Sequence, residues 1–438
     1  MKIAFFTPLN PLKSGISDFC EELLMELKEH MEIDLFIGDY KPSNPDMIKY
    51  FRIRKIKEFE NEEVRKEYDE VIYQIGNNEI CHEEIYQMAL KYPGIVELHD
   101  ISLHHMIAAT TIARGNVEGY KRIMRYCHGD NAVKVVDQFL NSEIVPPWEN
   151  NSLIFTVNKE IIDSATGVIV HSDYAKQMVK GVRPDVKVTT IYLHADEICM
   201  DYEKEKVEAR KRQNIDLKET IFATFGFITK PKRILEILEA LDEIKKRGYA
   251  FKFYIVGRVD DNLNITEVIK QYNLEREVVV TGFVDMNVMK DLMKSADICF
   301  CLRYPTQGES SAIVHRLLGM GKVILVTDIG TFTEYPDNVV VKICIDNEKT
   351  EIIKKSIEIK KDIKKLSNYE KNAIDFASRD CSLKDNVIRY RDFVKGIDEY
   401  QELSINDIIT DSLYRLGIID EEIISKLCEI KHRRVKNV

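Results

Sequence analysis

One glutamate, Glu309, stands where the run Leu302-Arg-Tyr-Pro-Thr-Gln-Gly-Glu-Ser-Ser-Ala312 passes from an apolar strand into an apolar-periodic helix. The pattern predicts that the amides of Ser310 and Ser311 sit free at that helix N-terminus, where partial positive charge favours an anion such as phosphate. A carboxylate beside such a site suits chemistry that grips hydroxyl groups while a diphosphate is held.

Other strand ends carry polar groups of matching character. Gly94-Ile-Val-Glu-Leu-His-Asp100 is a buried strand that ends in His99 and Asp100, with His104 and His105 following. A histidine at a strand's carboxyl end can donate to a hydroxyl or act as a general base. No downstream cluster has the spacing of a zinc site, so no metal is expected. Phe225-Gly-Phe-Ile-Thr-Lys-Pro-Lys-Arg-Ile234 places Lys230, Lys232 and Arg233 at a strand-to-helix turn beside Gly226, a setting for a diphosphate. The turn Thr7–Asp18 holds Lys13, Ser14 and Gly15, where a missing side chain lets backbone amides approach a ligand. Gly257-Arg258 and Thr281–Asp285 are further strand-end loops. Tyr73-Gln-Ile-Gly-Asn-Asn78 and Val170-His-Ser-Asp-Tyr174 end strands with groups that could line a cleft or cap a helix.

The elements that must position these residues are legible as alternating strands and helices. Six apolar runs in the first half (Lys2–Thr7, Glu32–Ile37, Val71–Ile75, Ile95–Leu98, Gly167–Val170 and Val188–Leu193) predict a parallel sheet flanked by helices. A helix over Ser17–His30 follows from the spacing of Phe19, Leu23, Leu24 and Leu27. A second set follows: Thr220–Phe225, Phe251–Val256, Val278–Thr281, Ile298–Leu302, Val323–Thr327 and Val339–Ile343. The expected division is a first α/β domain over 1–195 with a helical insertion at about 104–162, then a linker over 196–218. A second α/β domain spans 219–378 and C-terminal helices occupy 379–438, among them Asp411–Ile418 and Glu421–Ile430.

At 438 residues the chain exceeds one ordinary core, and 45% apolar with 31% charged residues describes a globular protein. A net charge of −10 argues against nucleic-acid binding, which needs a concentrated basic surface. Nine dispersed cysteines without a C-x-x-C pair fit a reducing cytoplasm; Cys299 and Cys301 read as core residues. No apolar run reaches the roughly 18 residues of a membrane span, and Met1–Pro8 reads as a strand rather than a signal peptide. The lysines of Lys354–Lys365 alternate with acids, as on a solvated helix face.

Together Ser14-Gly15, His99-Asp100, Lys232-Arg233 and the Glu309 segment, continued by Gly319–Gly330 and Glu334, resemble glycosyltransferase family 4, over most of the chain and in the expected order. The resemblance implies a GT-B fold: two Rossmann-like domains facing each other across a cleft, with C-terminal helices crossing back onto the first. It implies retaining, metal-independent transfer from a nucleotide-diphosphate sugar to a hydroxyl acceptor, without a cofactor. The acceptor it implies is a glycan, a lipid-linked glycan or a small alcohol, and a reaction in polysaccharide biosynthesis in the cytoplasm, at the inner face of a membrane, fits that resemblance.

The roles implied are His99 and Glu309 as catalytic groups. Gly15, Lys232, Arg233, Ser310 and Ser311 would hold the donor diphosphate. Gly226, Gly257, Arg258, Arg303 and Glu334 would line the nucleotide or sugar cleft, with Asp100 and His104 on the acceptor side. Two departures stand out. With Gly321 aligned, the family's two glutamates fall on Gly308 and Arg316, and its arginine in the phosphate turn falls on Phe227. Rival readings are a nucleotide-sugar epimerase, a glycogen-synthase-like polymerase and a catalytically silent nucleotide-sugar binding subunit. A dehydrogenase is disfavoured because neither strand-helix loop carries three glycines in the dinucleotide pattern.

Overall fold

A computed structural model describes residues 1–397 except Lys13 and Asn151; the expected helices Asp411–Ile418 and Glu421–Ile430 lie outside the described residues. Two separate parallel sheets organise the chain. The first comprises β1 (Lys2–Phe6), β2 (Glu32–Ile37), β3 (Arg52–Lys55), β4 (Glu70–Ile75), β5 (Ile95–Leu98), β6 (Gly167–Val170) and β7 (Val188–Thr190), in the order β3-β2-β1-β4-β5-β6-β7. The second comprises β8 (Ile221–Phe225), β9 (Lys252–Val256), β10 (Val278–Gly282), β11 (Ile298–Cys301), β12 (Val323–Thr327) and β13 (Val341–Ile343), in the order β10-β9-β8-β11-β12-β13.

The inner strands are largely continuous apolar runs because helices cover both faces of each sheet. All five residues of β12 are buried, for example. Separate apolar clusters lie on the two faces of the first sheet, and another two on those of the second. Strand β3 was absent from the expected set. Its Arg52-Ile-Arg-Lys55 sequence carries one apolar residue, as suits the sheet edge where it pairs only with β2.

The strand order turns at β1/β4 in the first sheet and at β8/β11 in the second. Open α/β sheets bind ligands outside the carboxyl ends of strands at such reversals. The loops concerned are those after β1 and β4 on one side, and Gly226–Arg233 and Leu302–Ser311 on the other. Both sheets therefore deliver the polar strand ends to one interdomain crevice.

Helix Tyr202–Arg212 lies between the two sheets in sequence, where a charged hinge helix was expected. Helix Leu383–Lys395 packs against helix Gly15–Leu27 of the first lobe, placing Val387, Tyr390, Phe393 and Val394 in that lobe's core. The C-terminal crossing back is therefore present. Among the described residues, no helix is long and apolar enough to cross a membrane.

Candidate functional site

The loop after β11 is the centre of the crevice, and its geometry follows from one glycine and one carboxylate. Gly308 adopts φ +74°, and a Cβ there would lie 3.0 Å from Ile101, so the chain turns tightly against the first lobe. Glu309 Oε2 accepts hydrogen bonds from Thr306 Oγ1 (2.8 Å) and the Gln307 amide (2.7 Å), which fixes the carboxylate's direction. Its Oε1 lies 2.9 Å from Arg303 Nε, an ion pair without hydrogen-bond alignment. The Glu309 carbonyl accepts from Thr331 Oγ1 at 2.7 Å.

The helix begins later than expected. Ser311 is the N-cap, its hydroxyl accepting from Val314, and the helix itself spans Ala312–Gly319. The free amides are therefore those of Ala312 and Ile313; the Ser310 hydroxyl instead donates to the His171 carbonyl across the crevice at 3.0 Å.

Lys232 reaches the same region from the loop after β8. Its ammonium donates to the Phe225 carbonyl and lies against Gly226, which holds φ +85°. Burial pulls the amine down to about 7, and the nearby charge of Arg303 adds to the effect. An amine so disposed gains its proton readily when an anion arrives. Arg233 is already neutralised: its guanidinium makes a bidentate contact with Glu348 at 2.7 to 3.2 Å and a second ion pair with Glu236 at 2.8 Å. Gly257 adopts φ +129°, and a Cβ there would come within 2.3 Å of the Gly226 carbonyl oxygen, so the two loops touch backbone to backbone. Arg258 is largely exposed and pairs with Asp261.

From the first lobe, Asp100 accepts the Asn77 amide at 2.8 Å. Burial pushes its carboxyl up to about 7, with the charge of Glu309 contributing. Asp100, Glu309, Arg303 and Lys232 thus form one electrostatically linked series from lobe to lobe. Gly15 is the first residue of helix Gly15–Leu27, capped by Ser14, with open space where a side chain would be. Lys13 lies outside the described residues.

His99 is partly exposed, yet both ring nitrogens have protein partners: Nε2 with Gln74 Oε1 at 2.7 Å and Nδ1 with His171 Nε2 at 3.0 Å. Burial keeps its pKa well below the usual histidine value. One expected position needs correction. His104 is fully buried, Nε2 against the Tyr120 hydroxyl and the ring edge-on to Trp148, because the helical insertion closes around it; it does not line the acceptor side. Glu334, partly exposed, accepts the Tyr174 amide at 2.9 Å in the first turn of helix Asp173–Val182 of the opposite lobe, so its carboxylate ties the two lobes together.

Gln307 and Glu97 were not singled out from sequence, and Arg316 was noted only as a departure from the resembled family. Gln307 enters the first lobe, its carbonyl accepting from the Ser102 amide and its side chain from Asn77 Nδ2, each at 3.0 Å. Arg316 lies 2.6 Å from Asp196 and 3.0 Å from Glu22. Glu97, buried within β5, meets Gln74 and Tyr390. The available signal was a lone carboxylate inside an otherwise apolar strand. Among the described residues, two groups of ligand-type side chains are close together, Glu97/His99/His171 and Glu22/His194/Asp196.

A model of the family "Glycosyl transferases group 1" matches residues 205–376, less than half of the chain. No protein of curated function matches. Solved structures resemble it over nearly its whole length. Sucrose-phosphate synthase from Thermosynechococcus elongatus superposes with a TM-score of 0.66 at 13% identity, covering 91% of this chain and 99% of that one. HepE from Anabaena in complex with UDP gives 0.64 at 13%, covering 90% and 100%. A glycosyltransferase from Rickettsia africae gives 0.63 at 14%, covering 90% and 98%. The fold is that of the two-domain GT-B glycosyltransferases.

Proposed function

We propose that this chain is a retaining, metal-independent glycosyltransferase that moves a sugar from a nucleotide-diphosphate donor to a hydroxyl acceptor in glycan biosynthesis. The observation that carries the reading is the linked series Asp100–Glu309–Arg303–Lys232 at the facing switch points of two parallel sheets. The matched group 1 glycosyltransferase model covers the residues of that series contributed by the second lobe.

In this reading the donor diphosphate lies against Lys232, Arg303 and the amides of Ala312 and Ile313. Negative charge builds on the leaving diphosphate as the sugar departs. Groups that bind that charge best in the transition state accelerate the step. Glu309, held by Thr306 and Gln307, accepts hydrogen bonds from sugar hydroxyls without reorganising. No protein nucleophile is needed, since the acceptor hydroxyl attacks from the leaving-group side. The contacts of Gln307 and Ser310 with the first lobe exclude water from the crevice.

The test is a screen of UDP-, GDP- and ADP-sugars by thermal shift, followed by acceptor-dependent release of nucleoside diphosphate. A ligand that binds only the folded chain raises its apparent stability. A donor that binds without transfer or slow hydrolysis favours the silent binding subunit. That second reading draws support from Arg316, which stands where the resembled family has a glutamate and is engaged by two acids. A donor isomerised without any acceptor identifies an epimerase.

A further inference from the structure

Beneath the crevice floor, a closed set of hydrogen bonds joins His99 to Glu97, Gln74, His171 and Tyr390, to which the transferase reading gives no role. His171 Nδ1 faces the Ile191 carbonyl at 2.8 Å, so that nitrogen must carry a proton and donate. His171 Nε2 and His99 Nδ1 face each other at 3.0 Å, so one proton lies between them. His99 Nε2 faces Gln74 Oε1 at 2.7 Å and must donate; the Gln74 amide nitrogen then donates to Glu97 Oε2 at 2.6 Å. Tyr390 also donates to Glu97 Oε2 at 2.8 Å, and Glu97 Oε1 lies 3.5 Å from His171 Nε2.

Counting the donors gives three protons on the two rings, one more than two neutral imidazoles hold. Reversing the Gln74 amide moves the third proton without removing it. His99 Nε2 then accepts, and Glu97 must be protonated to donate to Gln74. With only two protons, two acceptors would face each other at 2.6 or 2.7 Å inside the core, at a cost that buried polar groups avoid.

We propose that Glu97, His99 and His171 hold three protons between them as one uncharged unit, making Glu97 and His171 positioning residues that fix the orientation and protonation of His99 at the crevice floor. Burial acts in the same direction, raising Glu97 to about 7 and depressing His171 to about 4, so an unpaired charge on either is disfavoured. The titratable groups facing the unit are Cys20 from helix Gly15–Leu27, His82 from helix Glu79–Lys91, Tyr390 from helix Leu383–Lys395, and His194 and His315 beside His171. All three of these histidines other than His99 and His171 are buried. Phe19 lies edge-on to both rings at 5.4 Å, which restricts solvent exchange.

The positioning role rests on the transferase reading; the proton count does not. The count is read on the full chain by side-chain NMR at pH 7.5, with ¹⁵N-histidine and ¹³C-glutamate labels assigned through His99→Gln and His171→Gln. A doubly protonated ring at His99 or His171, or a protonated Glu97 carboxyl, supports the unit. An ionised Glu97 with both rings singly protonated overturns it, as does stoichiometric zinc capture by the wild-type chain with loss of these protons. In a transfer assay, His171→Phe is expected to lower kcat by about tenfold or more and to shift its pH profile, with donor KM little changed. An unchanged kcat and profile overturn the positioning role. If no donor supports transfer by the wild-type chain, the transferase reading fails while the NMR count still decides the unit.

Discussion

The Nε of Arg316 stands 2.6 Å from Oδ1 of Asp196, and both side chains are buried at the junction of the lobes. Glu22 completes the contact from the first lobe at 3.0 Å, and Lys290 approaches Asp196 at 3.3 Å. Burial alone would weaken the guanidinium's charge, but Asp196 and Glu22 hold it firmly protonated. The arginine is therefore one member of a matched set spanning helix, linker and opposite lobe.

Arg316→Ala leaves Asp196 and Glu22 without their shared partner. Removing one side of a buried pair costs about 3 kcal/mol or more, because the remaining charge stays desolvated. Urea unfolding is expected to show that loss, and Arg316→Glu should be worse because three acids then converge. A variant as stable as wild type would mean the set contributes nothing to cohesion.

Lys232 and Arg233 are adjacent in sequence but unequal in availability. Lys232→Ala should lower transfer by about a hundredfold, the scale seen when one preorganised charge-stabilising group is lost. Arg233→Ala should mainly reduce stability, since its charge is spent on Glu348 and Glu236. Steady-state kinetics on both variants, with melting temperatures, separate the roles. Equal kinetic losses would show that Arg233 leaves its partners when donor binds.

Glu334 gives a pH-dependent prediction whose sign is fixed. Burial raises its carboxyl to about 7 in the folded chain, above the ordinary glutamate value of 4.5. Between those values the folded state binds more protons than the unfolded one, so this residue's contribution to stability falls as pH rises. Below pH ~4.5 both states are protonated and the contribution is complete. Buried histidines slope the opposite way, so the comparison is between variants. The stability of Glu334→Gln minus that of wild type should climb from pH 4.5 to 7 and level off above. A flat difference would place the carboxyl's pKa near its ordinary value.

Gly257→Ala should be among the most damaging small substitutions. It adds a methyl 2.3 Å from a backbone oxygen and demands φ +129° of an L-residue. Thermal unfolding is expected to drop by many degrees, with donor binding lost in parallel. Near-normal melting would mean the Gly226 and Gly257 loops separate easily.

Much of this was legible in the chain. Buried parallel strands announce themselves as unbroken apolar runs, and Val323–Thr327 or Ile95–Leu98 could be bounded to the residue. The loop around Glu309 was legible because a glycine and a lone carboxylate interrupt such a run. Residues whose meaning lies in a distant partner were not. Glu97 meets Tyr390 at a separation of 293 positions, and Arg316 meets Glu22 at 294. Neither spacing leaves a periodic trace. His104 misled because a histidine near a strand end looks alike whether it faces a cleft or a helical layer. The helix start at Ala312 was misplaced because Glu309 bonds its own loop rather than opening the helix.

Helix Leu383–Lys395 has an implication for biogenesis. It supplies Val387, Tyr390, Phe393 and Val394 to an apolar cluster built mainly from the first lobe. A nascent chain that has emerged only through its first sheet still lacks that plug, and the Glu97 carboxyl still lacks its phenol. The amino-terminal half must wait, incompletely sealed, until helix Leu383–Lys395 has left the ribosome. Chaperone dependence should then track truncation near residue 383 more steeply than truncation within the second sheet's surface loops.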